Sequence, residues 1–395
     1  MGRKSGYNVT IDIIKGLAIC FVVLGHCGFP FTRQIYLFHM AVFLMASGYC
    51  FKEKHVANIE SFKQYVLKKI MGLWLPYFVF NSICWGLYNK FIDIGFLAED
   101  VTMTNAVSRI SWIQKLDYII GAFHFEPDAT HTFCGADWFV IVLFYDVIVF
   151  ALCYLITNHL KVICKKIFFS KINNSKNDTI LNTIQHLILI ASATIALLLG
   201  WILQIKQITL AGFVSPSITC YALYVFGYYI AKCKFIEKFV NHWKWIFTVL
   251  GAVALYKLVD VGNISLNINA YTSIPFLLLC SFIGWTWLWA ISKCVENANE
   301  IVKKLKLETI LVYIGQKSLY ILFLHFIAFK IVAFVQIMVY DAPMSSLAAF
   351  PAYNAPGQNW WLAYFISGVV VPLIIEKGWR FIKKKYLYLS GECQK

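Results

Sequence analysis

Residues Ile11–Pro30 read IDIIKGLAICFVVLGHCGFP, an apolar run long enough to cross a bilayer that nonetheless contains Asp12, Lys15 and His26. A helix turns about 100° and rises about 1.5 Å per residue, which puts Lys15 and His26 roughly three turns and about 16 Å apart on one face. Asp12, three positions before Lys15, joins the same stripe. Ionisable groups inside a membrane segment are costly and normally face a bundle interior or a wet cavity. One stripe therefore connects a cation near one surface to an imidazole near the other. Taken singly, Lys15 can snorkel to the interface, and His26 can serve as a hydrogen-bonding contact between helices. The next apolar segment, IYLFHMAVFLMASGYCF at 35–51, adds His39 near its start and shifts the balance toward a shared site.

Composition supports a membrane protein. Of 395 residues, 60% are hydrophobic and only 14% charged, where soluble domains carry about 25% charge. The expected fold is all-α, a polytopic transmembrane helical bundle forming a single domain over 1–395. Roughly twenty apolar residues span the hydrocarbon, and this rule yields about ten helices, near 11–30, 35–52, 70–89, 137–157, 184–203, 208–231, 244–260, 270–292, 309–339 and 360–380. The ninth is long and is interrupted by Gly315, Gln316, Lys317 and Ser318. No internal repeat is evident.

The net charge of +15 does not point to nucleic acid, because the basic residues collect in alternate loops. One side holds Arg3, Lys4, Lys52, Lys54, Lys63, Lys68, Lys69, Lys161, Lys165, Lys166, Lys171 and Lys176. Lys232, Lys234, Lys238, Lys244, Lys293, Lys303, Lys304, Lys306 and the tail Lys377–Lys395 follow on the same side. The other side holds Arg33, Lys90, Arg109, Lys115 and Lys206, a bias of about five to one that marks the richer side as cytoplasmic. Both termini are then cytoplasmic, in a multi-pass protein of the cell (inner, cytoplasmic) membrane. The first span lacks a small-residue cleavage site and reads as a retained helix. The twelve cysteines show no CxxC spacing and read mostly as small buried hydrophobes, although Cys27 and Cys134 both fall on the outer side.

This topology places His26 and His39 at the outer ends of spans one and two, and His325 in the outer half of span nine. Three histidines from three helices meet at one depth, which the charge rule did not require.

The first two spans resemble the acyltransferase-3 family of integral membrane acyltransferases, particularly its polysaccharide O-acetyltransferase branch. The family's first helix has a basic residue, ten others and then a histidine, as Lys15 through His26, with Asp12 before and Gly16 after. A phrase like FHMPLFFFISGY is matched by Phe38, His39, Met40, Phe43, Ser47, Gly48 and Tyr49. ADWFVIVLFYD at 136–146, with Asp137 and Trp138, is similar to the family's WFL-x-x-L phrase. SLYILFLHF at 318–326, which contains His325, is similar to its SLYIYLLH. KKIMGLWLPYF at 68–78 carries Lys69 in the first of two family basic positions, but Gly72 stands in the second. The resemblance covers essentially the whole chain. It is to members without the soluble esterase-like domain that larger ones append, so the membrane part would complete the transfer itself.

The resemblance implies transfer of an acetyl or other acyl group from acetyl-CoA, supplied from the cytoplasm, to a hydroxyl of a cell-envelope glycan or lipid-linked sugar. His26 would be catalytic with His39 as partner, acting as a general base or as an acyl carrier. Asp12, Lys15 and Lys69 would hold the acidic donor, and Asp137, Trp138 and His325 would face the acceptor. The outer loop Asn89–Ala136 holds Trp112 and the sequence HFEPDATH, with His124, Glu126, Asp128 and His131, which fits no standard zinc spacing. No metal is expected, and acceptor contacts or a lid suit that loop better. A proton-coupled transporter or flippase of an envelope precursor is the alternative, since intramembrane Asp, Lys and His suit it too. The missing repeat and the family phrases weigh against that alternative.

The charge asymmetry predicts that Asn89–Ala136 and Asp341–Asn359 lie outside. In a background without exposed thiols, a cysteine at Lys171 should resist labelling from outside intact cells, and its labelling would overturn the topology.

Overall fold

In a computed structural model of the protein, which describes residues 8–98, 108–126, 130–168, 175–298 and 303–389, the side chain of Asn8 accepts a 3.3 Å hydrogen bond from the backbone of Ile11 and starts helix α1, Val9–Gly25. Asp12 in the first turn suits the positive end of the helix dipole. At 17 residues, α1 is near the lower limit for crossing a bilayer. It ends earlier than the apolar run does: His26 is the C-cap residue, and Gly28 at φ +76° turns the chain into α2, Thr32–Tyr36. Arg3, Lys4, Asp128 and Lys171 lie outside the described residues, as do 99–107 and 127–129 of the outer loop.

The expected second span is divided. The chain turns at Leu37 and Phe38, and α3, His39–Tyr49, begins on the histidine itself. Ahead of the Pro-Tyr phrase come α4, Ile59–Lys69, a π-helical turn, Ile70–Trp74, and α5, Leu75–Gly86, which follow one another without a gap and place Pro76 just after the π turn. The stretch 89–136, expected as an outer loop, contributes to α6, Tyr88–Asp93, and holds α7, Trp112–Phe123, whose start is fixed by a capping box of Ser111 and Gln114. Then follow α8, Trp138–Phe168, α9, Ser175–Ile205, α10, Val214–Lys232, α11, Lys234–His242, and α12, Lys244–Leu258. The strands found among the described residues are β1, Ile264–Ser265, and β2, Ala270–Tyr271, an antiparallel hairpin pairing Ile264 with Tyr271. The chain closes with α13, Ile274–Glu296, α14, Leu307–Gln316, α15, Ser318–Tyr340, and α16, Trp361–Leu389. The interrupted stretch at 315–318 is a real break at Lys317, between α14 and α15.

The fold is thus a helical bundle. Among the described residues, five helices are long and apolar enough to cross a membrane by length and composition: α8, α9, α13, α15 and α16.

Polar pins fix the ends of the helices. Lys293 donates to Thr10 and to Glu296 at 2.7 Å each, and Thr10 donates to Glu296 at 2.5 Å, tying α1 to α13. Lys317, at the break, pairs with Glu376 of α16 at 2.6 Å, and Arg380 pairs with the same carboxylate at 2.7 Å. The segment 341–360 is sewn to α15: Lys330 donates to the carbonyls of Leu347 and Ala349 at 2.8 and 3.0 Å, and Gln336 donates to Tyr353 at 3.0 Å.

Inside the bundle several glycines let helices approach closely. A Cβ on Gly16 would lie 2.2 Å from the carbonyl oxygen of Leu311, and one on Gly315 would lie 1.9 Å from that of Asp12, so α1 and α14 touch backbone to backbone. The same reciprocity joins α3 to α10, where Gly48 would meet the Tyr224 carbonyl at 1.9 Å and Gly227 the Met45 carbonyl at 2.0 Å. Lipid tails are as apolar as leucine, so helices in a bilayer associate through such close packing. Gly378 of α16, by contrast, has nothing within 4 Å of a built Cβ.

Gly48→Ala and Gly315→Ala should each lose about 1–3 kcal/mol or more, because backbone cannot yield as a side chain can. Gly378→Ala should gain about 0.5–1 kcal/mol. Thermal unfolding in detergent measures both, and an unchanged melting temperature for Gly48→Ala would refute the close contact.

Candidate functional site

Two cavities lie end to end through the bundle. The inner one, about 560 Å³, is lined by Asp12 and Lys15 of α1, Ser47 of α3, Lys69 at the end of α4, and Gln316 and Ser318 at the α14–α15 break. His55, in the turn Glu53–Val56, also faces it. Lys15 lies 3.8 Å from Asp12, to which Gln316 donates at 3.4 Å. Lys69 sits over the Tyr65 ring, 5.1 Å from its centre. Two ammonium groups facing one cavity repel each other, and an anion between them would relieve that repulsion. His55 stacks on Tyr65 with 5.4 Å between ring centres. Burial, then the charges of Lys54, Lys68, Lys69 and Lys52, hold its pKa below the usual value, which keeps the ring neutral at pH 7.

The outer chamber, about 260 Å³, is lined by His26, Tyr36, His39 and Trp138, by Gly135 and Ala136 of the outer loop, and by Ser265, Leu266 and Asn267 of the β-hairpin segment. Val22 and Met40 line both cavities and form the partition between them. Three turns of α1 therefore carry Lys15 to one cavity and His26 to the other.

The three histidines are brought together. The rings of His26 and His325 stack with centres 5.6 Å apart, and Tyr36 lies between His26 and His39 at 6.4 and 5.2 Å. A carbonyl can only accept, so the 2.7 Å contact of His39 Nδ1 with the Ile35 carbonyl places the hydrogen on Nδ1 and leaves Nε2 a bare acceptor. His325 is set the same way by the carbonyls of Ile321 and Leu322 at 3.0 and 2.9 Å. Its Nε2 is buried without a partner. A neutral imidazole with a free Nε2 is the form a proton acceptor needs.

The remaining expected residues divide. Trp138 lines the chamber, whereas His325 stands behind His26. Asp137 is fully buried and accepts a 2.7 Å hydrogen bond from Asn81, whose own oxygen receives the backbone N–H of His131 at 3.0 Å. That network holds the loop segment leading into α8. Gly72, standing where the family has a second basic residue, lines the inner cavity with nothing within 4 Å of a built Cβ, so the position is open and Lys68 does not fill it. Neither His55 nor the β-hairpin segment belonged to the expected set. His55 sits among lysines in a short loop, KEKH at 52–55, that no apolar pattern singles out. The hairpin could have been found from the alternation Ile264, Leu266, Ile268 between polar residues.

A family model described as an acyltransferase domain of acyltransferase family 3 matches residues 8–377. No curated protein and no solved structure matches the chain. The match takes in every residue of both cavities and nearly the whole bundle, and the chain belongs to the acyltransferase-3 family of membrane acyltransferases.

Proposed function

We propose that the protein moves an acetyl group from cytoplasmic acetyl-CoA, through the partition of Val22 and Met40, to a hydroxyl of a cell-envelope glycan or lipid-linked sugar. The observation that carries this reading is the pair of cavities sharing one wall, cationic on the inner side and lined by imidazoles on the outer. Lys15 and Lys69 suit the phosphates of the donor, which remains in the inner cavity. The thioester carbonyl is presented at the partition. The acceptor hydroxyl attacks it from the outer chamber as His26 takes the proton, the thiolate of CoA leaves, and His39 stands by as the second imidazole. An acyl-His26 intermediate is the other form of the same transfer, with the acetyl group resting on the ring before the hydroxyl takes it. The chamber volume suits one sugar ring at a time, and Trp138 offers it a flat apolar face.

His26→Gln should insert and bind acetyl-CoA but leave the envelope glycan unacetylated. An amide cannot take a proton near neutral pH, and loss of a general base costs about 10²–10⁴-fold. A helix-contact histidine would tolerate the amide at about 1–2 kcal/mol. Wild-type levels of alkali-released acetate from the envelope of the variant strain would remove His26 from the mechanism.

Lys15→Ala should lose most acetyl-CoA binding, and Lys15→Arg should keep part of it, with both proteins reaching the membrane. Normal binding by the alanine variant would reduce Lys15 to a snorkelling cation. Wild-type protein that neither binds nor hydrolyses acetyl-CoA would overturn the acyl-transfer reading as a whole.

A further inference from the structure

We infer that Cys84 and Cys134 are joined by a disulfide that closes the outer loop onto α5 and fixes one wall of the histidine chamber. The inference rests on the outward placement of that loop proposed from the lysine asymmetry. Cys84 lies in the last turn of α5 and Cys134 in the turn Thr132–Cys134, each 1% exposed. Together with His131, which is fully buried, they offer one ligand-type atom each, all within 4.8 Å of one another.

Two thiols and an imidazole at such distances admit two chemistries, a bound metal ion or a sulfur–sulfur bond. The hydrogen bonding of His131 decides between them. Its Nδ1 accepts the backbone N–H of Phe133 at 3.1 Å, so that nitrogen carries no hydrogen and its lone pair is engaged. Burial pushes the pKa of this ring down to about 3, which keeps it neutral, and the single hydrogen of a neutral ring must then sit on Nε2. Neither nitrogen has a lone pair to give a metal. Two sulfurs alone fall short of the four ligands of a structural zinc site. A disulfide needs only the two sulfurs, and it leaves the imidazole packed against Trp85 and Phe133, whose rings lie 4.9 and 5.4 Å away, with Nε2 buried and without a hydrogen-bond partner.

The bond balances by exchange with the disulfide of an extracytoplasmic thiol oxidase. One cysteine attacks the oxidase to form a mixed disulfide, the other displaces it, and the oxidase departs as the dithiol, carrying the two protons that the cysteines gave up. Since both side chains are buried in the finished fold, the exchange belongs to the stage before the loop seals. The consequence for the site is direct, because Cys134 is followed by Gly135 and Ala136, which line the chamber of His26 and His39. Cys27, whose Sγ contacts the Leu24 carbonyl at 3.4 Å, does not belong to this cluster.

The test uses full-length protein from membranes denatured in N-ethylmaleimide at lysis, then purified, digested and weighed before and after reduction. The expected result is one linked species carrying Cys84 and Cys134, without maleimide, that separates on reduction. Maleimide on both cysteines would overturn the inference, and so would stoichiometric zinc in protein whose two thiols are free. Cys84→Ser, Cys134→Ser and the double variant should lose the same amount of thermal stability, because any one removes the whole bond. Additive losses would overturn it. Acetyl-CoA hydrolysis by the same wild-type preparation reports separately on the acyl-transfer reading. Labelling of a cysteine at Gln114 from outside intact cells reports separately on the topology.

Discussion

Backbone-to-backbone contact at glycine is the constraint on which this bundle depends. Gly16 and Gly315 bring α1 against α14 beside Asp12, and Gly48 and Gly227 bring α3 against α10 beside Ser47. Both contacts lie next to the inner cavity, so the packing that joins the helices also sets the position of its polar residues. An alanine at any of the four would push two helices apart and displace Lys15, Gln316 or Ser47 relative to one another. The glycines after Lys15 and before Tyr49 in the two signature phrases thus have a packing reason independent of chemistry.

The second organising feature is the separation of charge along α1. Lys15 and His26 share one stripe, but they serve different spaces because Val22 stands between them with Met40 opposite. A helix running across the membrane can place a cation on one side and a neutral imidazole on the other, with an apolar residue between. The break at Lys317 adds Gln316 and Ser318 to the inner space, and the salt bridge from Lys317 to Glu376 holds that break open. At the outer end, Gln204 bonds the backbone of Tyr271 at 2.7 and 3.1 Å, and Asn269 is held by Thr219 and by the Gly200 carbonyl at 2.6 and 2.9 Å. These amides position the hairpin whose Ser265 and Asn267 face the chamber.

Much of this could be read from the residues, because ionisable groups stand out in an apolar background. Asp12, Lys15, His26, His39 and His325 are conspicuous for that reason, and the structure brings the last three within ring-contact distances. What could not be read was where a uniformly apolar run bends. Hydropathy across 35–52 does not change at Leu37, yet the chain turns there so that His39 opens α3. The π-helical turn before Pro76 is equally silent in composition. His55 was hidden because a histidine in a lysine-rich loop looks solvated until tertiary packing lays it on Tyr65. Asp137 was legible as a polar residue in an apolar setting, but only the structure shows one of its oxygens bonded to Asn81 and the other buried without a partner.

The partition of Val22 and Met40 has a consequence beyond catalysis. A cell membrane stores energy as an ion gradient, and a protein open to both sides would drain it. If the donor enters from one side and the acceptor from the other, the body of neither has to pass. The barrier between them can then remain two aliphatic side chains, through which only an uncharged two-carbon group is handed. Val22 and Met40 would thus act as electrical insulation: an apolar seal admits an acetyl group at little cost and excludes a hydrated proton or sodium ion at great cost. On the proposed transfer, the two side chains that the acetyl group passes would let this enzyme work across an energised membrane without short-circuiting it.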